Sequence, residues 1–122
     1  MPEALIIDDN RSTADALRQM LTVLGFKSRM AYGSSAAMSI LGSGFIPQFI
    51  FLDLNMPGVA GTEILTYLRR EPRLMRVPVV VVTSDDQPET RTKVLRLGAT
   101  AIVIKPATIE SLETALIKSK IL

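Results

Sequence analysis

Five side chains spread along the chain are of the types that handle metal ions and phosphoryl groups: Asp8 and Asp9, Asp53, Thr83 and Lys105. Each stands at the end of a short apolar run. Ala4-Leu5-Ile6-Ile7 leads into Asp8-Asp9, Phe49-Ile50-Phe51-Leu52 into Asp53, Pro78-Val79-Val80-Val81-Val82 into Thr83, and Ala101-Ile102-Val103-Ile104 into Lys105-Pro106. A carboxylate beside buried apolar residues is costly unless water, a cation or a partner meets it. Three carboxylates on one rim repel one another, and a hard divalent cation between them relieves that repulsion. Oxygen donors without His or Cys favour Mg²⁺, with Mn²⁺ or Ca²⁺ as substitutes. A carboxylate can also accept a phosphoryl group covalently, a reaction that needs mainly charge neutralisation and positioning. Asp53 fits the acceptor role, Lys105 offers a fixed positive charge, and Thr83 offers a hydroxyl donor. Taken singly, these residues have plainer readings: Asp8-Asp9 as a helix cap, Asp53 as a turn cap, Thr83 as a strand end, Lys105 as a surface charge. Their joint placement is what carries the chemistry.

The elements that must position them follow from hydrophobic periodicity. The apolar runs are too short for lone helices and lack polar alternation, so they read as parallel strands buried on both faces. Lys27 to Tyr32 alternates and reads as a weaker edge strand. Between the strands lie helical patterns. Ala14, Leu17, Leu21 and Leu24 recur at steps of three and four after a cap at Asn10 or Ser12, and Gly25 closes that helix. Ser34 or Ser35 starts a second helix, with Ala37, Ile40 and Leu41 on its apolar face, ended by Gly42-Ser43-Gly44. A third runs from Gly61 to Arg70, with Ile64, Leu65 and Leu68 inward, and Pro72 stops it. Pro88 opens a fourth that reaches Leu97, and Thr108 caps a fifth carrying Ile109, Leu112 and Leu116.

Five strands alternating with five helices predict one α/β domain over residues 1–122, a parallel sheet covered on both faces. All strands then end on the same edge, which gathers Asp8, Asp9, Asp53, Thr83 and Lys105 along one rim. Ligands bind at that edge in open α/β sheets.

Composition narrows the chemistry. Across 122 residues there is no Cys and no His, which excludes disulfides, thiolate chemistry and imidazole bases. With 48% apolar residues the chain can build a real core. A net charge of +2 is mild, aromatics are 5%, and the basic clusters lack interleaved aromatics, so no direct nucleic-acid partner is expected. No run approaches the ~20 apolar residues of a membrane span, and no signal peptide is legible. The expectation is a cytoplasmic protein with no membrane partner. Two basic groups stand out, Arg69, Arg70, Arg73 and Arg76 near the end of the third helix, and Arg91, Lys93, Arg96, Lys118 and Lys120 on the last two. Each reads as a solvated surface or as a docking face for an acidic partner.

The pattern Asp8-Asp9, Asp53 within Leu-Asp-Leu-Asn-Met-Pro-Gly, Thr83, and Lys105-Pro106 resembles the receiver domain of bacterial two-component response regulators, over essentially the whole chain. The resemblance implies a flavodoxin-like doubly wound sheet of strand order 2-1-3-4-5 and a cis Lys105-Pro106 bond. It implies that Asp53 accepts phosphate from a sensor histidine kinase or phosphotransfer protein. Mg²⁺ would be held by Asp9 directly, Asp8 mainly through water, Asp53, and the backbone carbonyl of Asn55. Thr83 and Lys105 would bind the phosphoryl group, and the face of helix four, strand five and helix five would pass the signal to an output domain or downstream protein. The family assists its own phosphorylation and phosphate loss without being an enzyme in the turnover sense. Dimerisation on phosphorylation, and the choice between a stand-alone regulator and part of a longer protein, stay open.

Four positions depart from the family pattern. Ile102 stands where an aromatic switch residue is usual, and Ala60 where an acid is common, with Ser84 slightly larger than the usual Ala and Ala107 in place of a frequent large apolar residue. The first keeps alive a receiver-like interaction module with a silent site. A phosphatase with an aspartate nucleophile would want an acid two residues past Asp53, where Asn55 stands, and a flavodoxin-like electron carrier would want a Ser/Thr-rich phosphate loop after the first strand.

Overall fold

The computed structural model describes residues 3–122. Among these, strands β1 (Ala4–Ile7), β2 (Ser28–Ala31), β3 (Ile50–Asp53), β4 (Val79–Thr83) and β5 (Ala101–Ile104) alternate with helices α1 (Arg11–Val23), α2 (Ser34–Gly42), α3 (Gly61–Arg70), α4 (Pro88–Arg96) and α5 (Ile109–Lys118). The strands pair in parallel as one sheet of order β2-β1-β3-β4-β5. This is the parallel sheet covered on both faces that the alternation predicts, in the flavodoxin-like strand order that the resemblance implies.

Strand side chains alternate between two cores. Leu5, Ile7, Ile50, Leu52, Val79 and Val81 face Ala37, Leu41, Ile64, Leu65, Leu68 and Val94 of α2, α3 and α4. Their neighbours Ala4, Ile6, Phe51, Val80 and Val82 face Ala14, Leu17 and Leu21 of α1 and Leu112, Ala115 and Leu116 of α5. Phe49 lies fully buried in the second core, edge-on to both Phe26 and Phe51. Every residue of β1, β3 and β4 is buried, whereas β2 and β5 are partly open, as edge strands are.

Local signals set most boundaries. Asn10, not Ser12, caps α1 by accepting a hydrogen bond from the Thr13 amide. Thr108 and Ser111 bond reciprocally at the start of α5, and Pro88 occupies the first turn of α4. The edge strand differs from expectation. It is Ser28–Ala31, shorter than Lys27 to Tyr32, because β2 has a ladder partner on one side only and β1 offers four residues. The second helix starts at Ser34, one of the two expected positions, and the Ser34 hydroxyl accepts from the Val59 amide in the loop after β3.

Candidate functional site

Register builds the site. Ile7 pairs with Leu52, so Asp8 and Asp53 follow side by side at the ends of neighbouring strands. Asp53 pairs with Val82, which places Thr83 one step beyond it, and Thr83 pairs with Ile104, which delivers Lys105 next. The Lys105 amide donates to the Thr83 carbonyl at 2.8 Å, fixing the root of that side chain, and the Lys105–Pro106 bond is cis.

The Lys105 ammonium reaches back across the rim. Its Nζ lies 3.3 Å from Asp8 Oδ2 and 3.3 Å from Asp53 Oδ1. Asp8 and Asp53 are buried, at 1% and 4% exposure, while Asp9 is exposed at the mouth. Backbone amides supply the remaining bonds: Asn10 to Asp8 Oδ1 at 2.9 Å and Asn55 to Asp53 Oδ1 at 3.3 Å. One lysine between two buried carboxylates leaves negative charge in excess. Burial, and then the neighbouring Asp8 charge, push the Asp53 carboxyl above its ordinary value, with Lys105 acting against both.

Asp8, Asp9 and Asp53 each offer a carboxylate oxygen within 4.8 Å of the others, the spacing of a shared cation. The donor set is all oxygen, two of the three groups are buried, and their charge is incompletely balanced. Those properties fit a hard divalent cation such as Mg²⁺. Asn55, exposed in the loop after β3, is two residues past Asp53.

That loop is held from beneath. The Gly61 amide donates to the Leu54 carbonyl at 3.1 Å, and Gly61 itself packs directly on the β3 backbone. A Cβ there would run into the Asp53 carbonyl and come within 2.7 Å of Leu54 Cα. Sequence reading did not single out Gly61 for this role.

On the other side, Thr83 is buried and its hydroxyl accepts from the Asp85 amide at 3.1 Å. Asp85 in turn accepts from the Gln87 amide at 2.9 Å and the Thr90 hydroxyl at 2.6 Å. These bonds, the Thr90 hydroxyl foremost, hold the Asp85 carboxyl below its usual range. Thr83 is thereby tied to the first turn of α4. Ile102 packs against the α2–α4 core, and a pocket of about 80 Å³ lies between it, Thr83 and Val94. The Asp85–Thr90 link carries no sequence motif, and only the loop's path reveals it.

The arginine run near the end of α3 separates into two kinds. Arg69 turns inward and donates to the carbonyls of Gly98, Met75 and Val77, and Arg73 donates to the Leu41 carbonyl at the end of α2. Those two are structural clamps, not docking residues, whereas Arg70 and Arg76 are exposed.

Residues 4–117 match the family of response regulator receiver domains, and the chain belongs to that family. The chemotaxis protein CheY of Pseudomonas aeruginosa is 31% identical over 110 residues, which span 89% of this chain and 88% of that one. The crystal structure of chemotaxis protein CheY4 of Vibrio cholerae superposes with a TM-score of 0.87 at 24% identity, over 100% of this chain and 99% of that one. A response regulator of Burkholderia pseudomallei, whose structure contains a phosphorylated aspartic acid, a calcium ion and citrate, has a TM-score of 0.83 at 26% identity, over 99% of this chain and 71% of that one.

Proposed function

We propose that this chain is the phosphoacceptor switch of a two-component pathway, with Asp53 as the acceptor. The observation that carries the reading is the Asp8–Asp9–Asp53 cluster bridged by Lys105 at the carboxyl edge of the sheet. Asp8, Asp9, Asp53 and the Asn55 backbone carbonyl would hold Mg²⁺, which when bound neutralises charge on the carboxylates and on phosphoryl oxygens. The donor is a phosphohistidine of a sensor kinase or phosphotransfer protein. An Asp53 carboxylate oxygen forms the new P–O bond as the P–N bond breaks, and the leaving imidazole takes a proton from water. Lys105 already spans Asp53 and supplies a fixed positive charge beside the acceptor. The phosphorylated relative from Burkholderia pseudomallei supports this chemistry at the family's aspartate.

The switch then runs through Thr83. Its hydroxyl now accepts from the Asp85 amide. Reorientation toward a phosphoryl oxygen gives up that bond and loosens the link from Asp85 through Thr90 to α4. The space beside Ile102 gives the loop room to rearrange, so an aromatic rotamer change is dispensable. Output passes through the face of α4, β5 and α5 to a partner protein or output domain in the cytoplasm. The chain signals by conformation and does not turn over a substrate.

Beryllofluoride with Mg²⁺, a stable stand-in for the phosphoryl group, tests the reading by amide NMR. The expected result is shifts at Thr83, Asp85 and the first turn of α4 in wild type and none in Asp53→Asn. Equal shifts in both proteins would remove Asp53 from the acceptor role.

A further inference from the structure

A net charge of +2 conceals a strong separation of charge along the strand axis. In a parallel sheet with helical crossovers, every helix ends, and every next strand begins, at the amino edge. That base is the end opposite the carboxylate rim. Exposed cations collect there: Lys27 before β2, Arg70 and Arg76 around the end of α3, Arg96 at the end of α4, and Lys118 and Lys120 at the end of α5. None of these six forms a salt bridge among the described residues. The base holds two acids, Glu3 and Glu71, already paired with Arg29 and Arg73. The other acids lie in carboxyl-edge loops, in β3 at that edge or in the first halves of helices.

Apolar side chains protrude at the same end. Val23 is 71% exposed, Ile117 60%, Ile46 55%, Met75 47% and Leu95 41%, and all lie at helix ends or in helix-to-strand loops. Helix dipoles explain cations in a last turn. They do not explain Lys27, Arg76 and Lys120 in the loops, nor the apolar tips between them.

We infer that the base of the sheet is a peripheral docking surface for an anionic lipid bilayer. Apolar tips ringed by Lys and Arg match an interface in which acyl chains meet the tips and acidic headgroups meet the cations. A nucleic-acid backbone would use the cations but leave Val23, Ile46, Met75 and Ile117 in water. No helix among the described residues is long and apolar enough to cross a membrane, so the contact is at the surface. Docked this way, the Asp53 rim faces away from the bilayer and stays open to a phosphodonor. The expectation of no membrane partner rested on the lack of a span and of a legible signal peptide; neither measures where charges sit.

The test is flotation with phosphatidylglycerol–phosphatidylcholine vesicles and with phosphatidylcholine vesicles alone. Binding to the anionic vesicles only, weakened by salt and at least about tenfold by Arg76→Glu with Arg96→Glu, is expected. The chain has no cysteine, so Met75→Cys and Val59→Cys each accept a single environment-sensitive dye. The dye at Met75, on the base, should shift to the blue with anionic vesicles, and the dye at Val59, near the carboxyl edge, should not. Absence of flotation at low salt would overturn the inference. So would binding indifferent to the paired substitution, equal binding to neutral vesicles, binding to duplex DNA without binding to vesicles, or a Met75 dye shift that follows protein concentration alone.

Discussion

Asp53 sits where two demands conflict. It must be buried enough to be positioned, yet its charge is disfavoured by burial and by Asp8. Without a divalent cation, Asp53→Asn removes one of two facing carboxylates and should unfold at a higher urea concentration than wild type in the presence of a chelator. Lower stability of the variant would mean that Lys105 already balances the site. Gly61 constrains the same residue from behind. Gly61→Ala forces a Cβ against the Asp53 backbone and should cost about 1–3 kcal/mol in urea unfolding. The acids were legible because each ends an apolar run, where a carboxylate needs a reason to be. Gly61 was not, since a glycine opening a helix gives no sign of what backbone it touches. Nor was the division of the arginines, because four similar side chains in sequence do not say which two turn inward to carbonyls.

At the scale of elements, strands and helices were readable because their periods differ and their ends carry caps, as Asn10, Pro88 and Thr108 do. The loop from β4 to α4 was not readable, for its structure comes from Asp85 reaching forward to Thr90. Those bonds depress the Asp85 carboxyl in the folded chain. Their contribution is therefore complete above the unfolded value and is lost as pH falls through the lower folded value. The Gln87 and Thr90 amide resonances should titrate together below the ordinary carboxylate range. Thr90→Val should move that titration back up and speed amide exchange in the first turn of α4. An unchanged titration would separate Asp85 from Thr90 and from the proposed switch. Core elements answer to packing instead. Phe49→Ala empties a fully buried site between two aromatic rings and should cost about 3–5 kcal/mol.

On the scale of the whole molecule, parallel strands sort the chain into two ends of different chemical character. The carboxyl edge collects acids, a threonine and a lysine from strands far apart in sequence. The amino edge collects free cations and apolar tips. The first gathering was foreseeable, since alternation of strand and helix dictates it. The second was hidden in a modest net charge, because composition sums over both ends. Membership of the receiver family rests on residues 4–117, and the Asp53 chemistry at the first end remains the claim from which the switch follows. Intact mass after incubation with acetyl phosphate and Mg²⁺ tests it most directly. The account predicts a single phosphoryl adduct on wild type, lost on adding a chelator beforehand and absent from Asp53→Asn. An adduct of equal yield on Asp53→Asn, or none on wild type under conditions where the chain is folded, would contradict it.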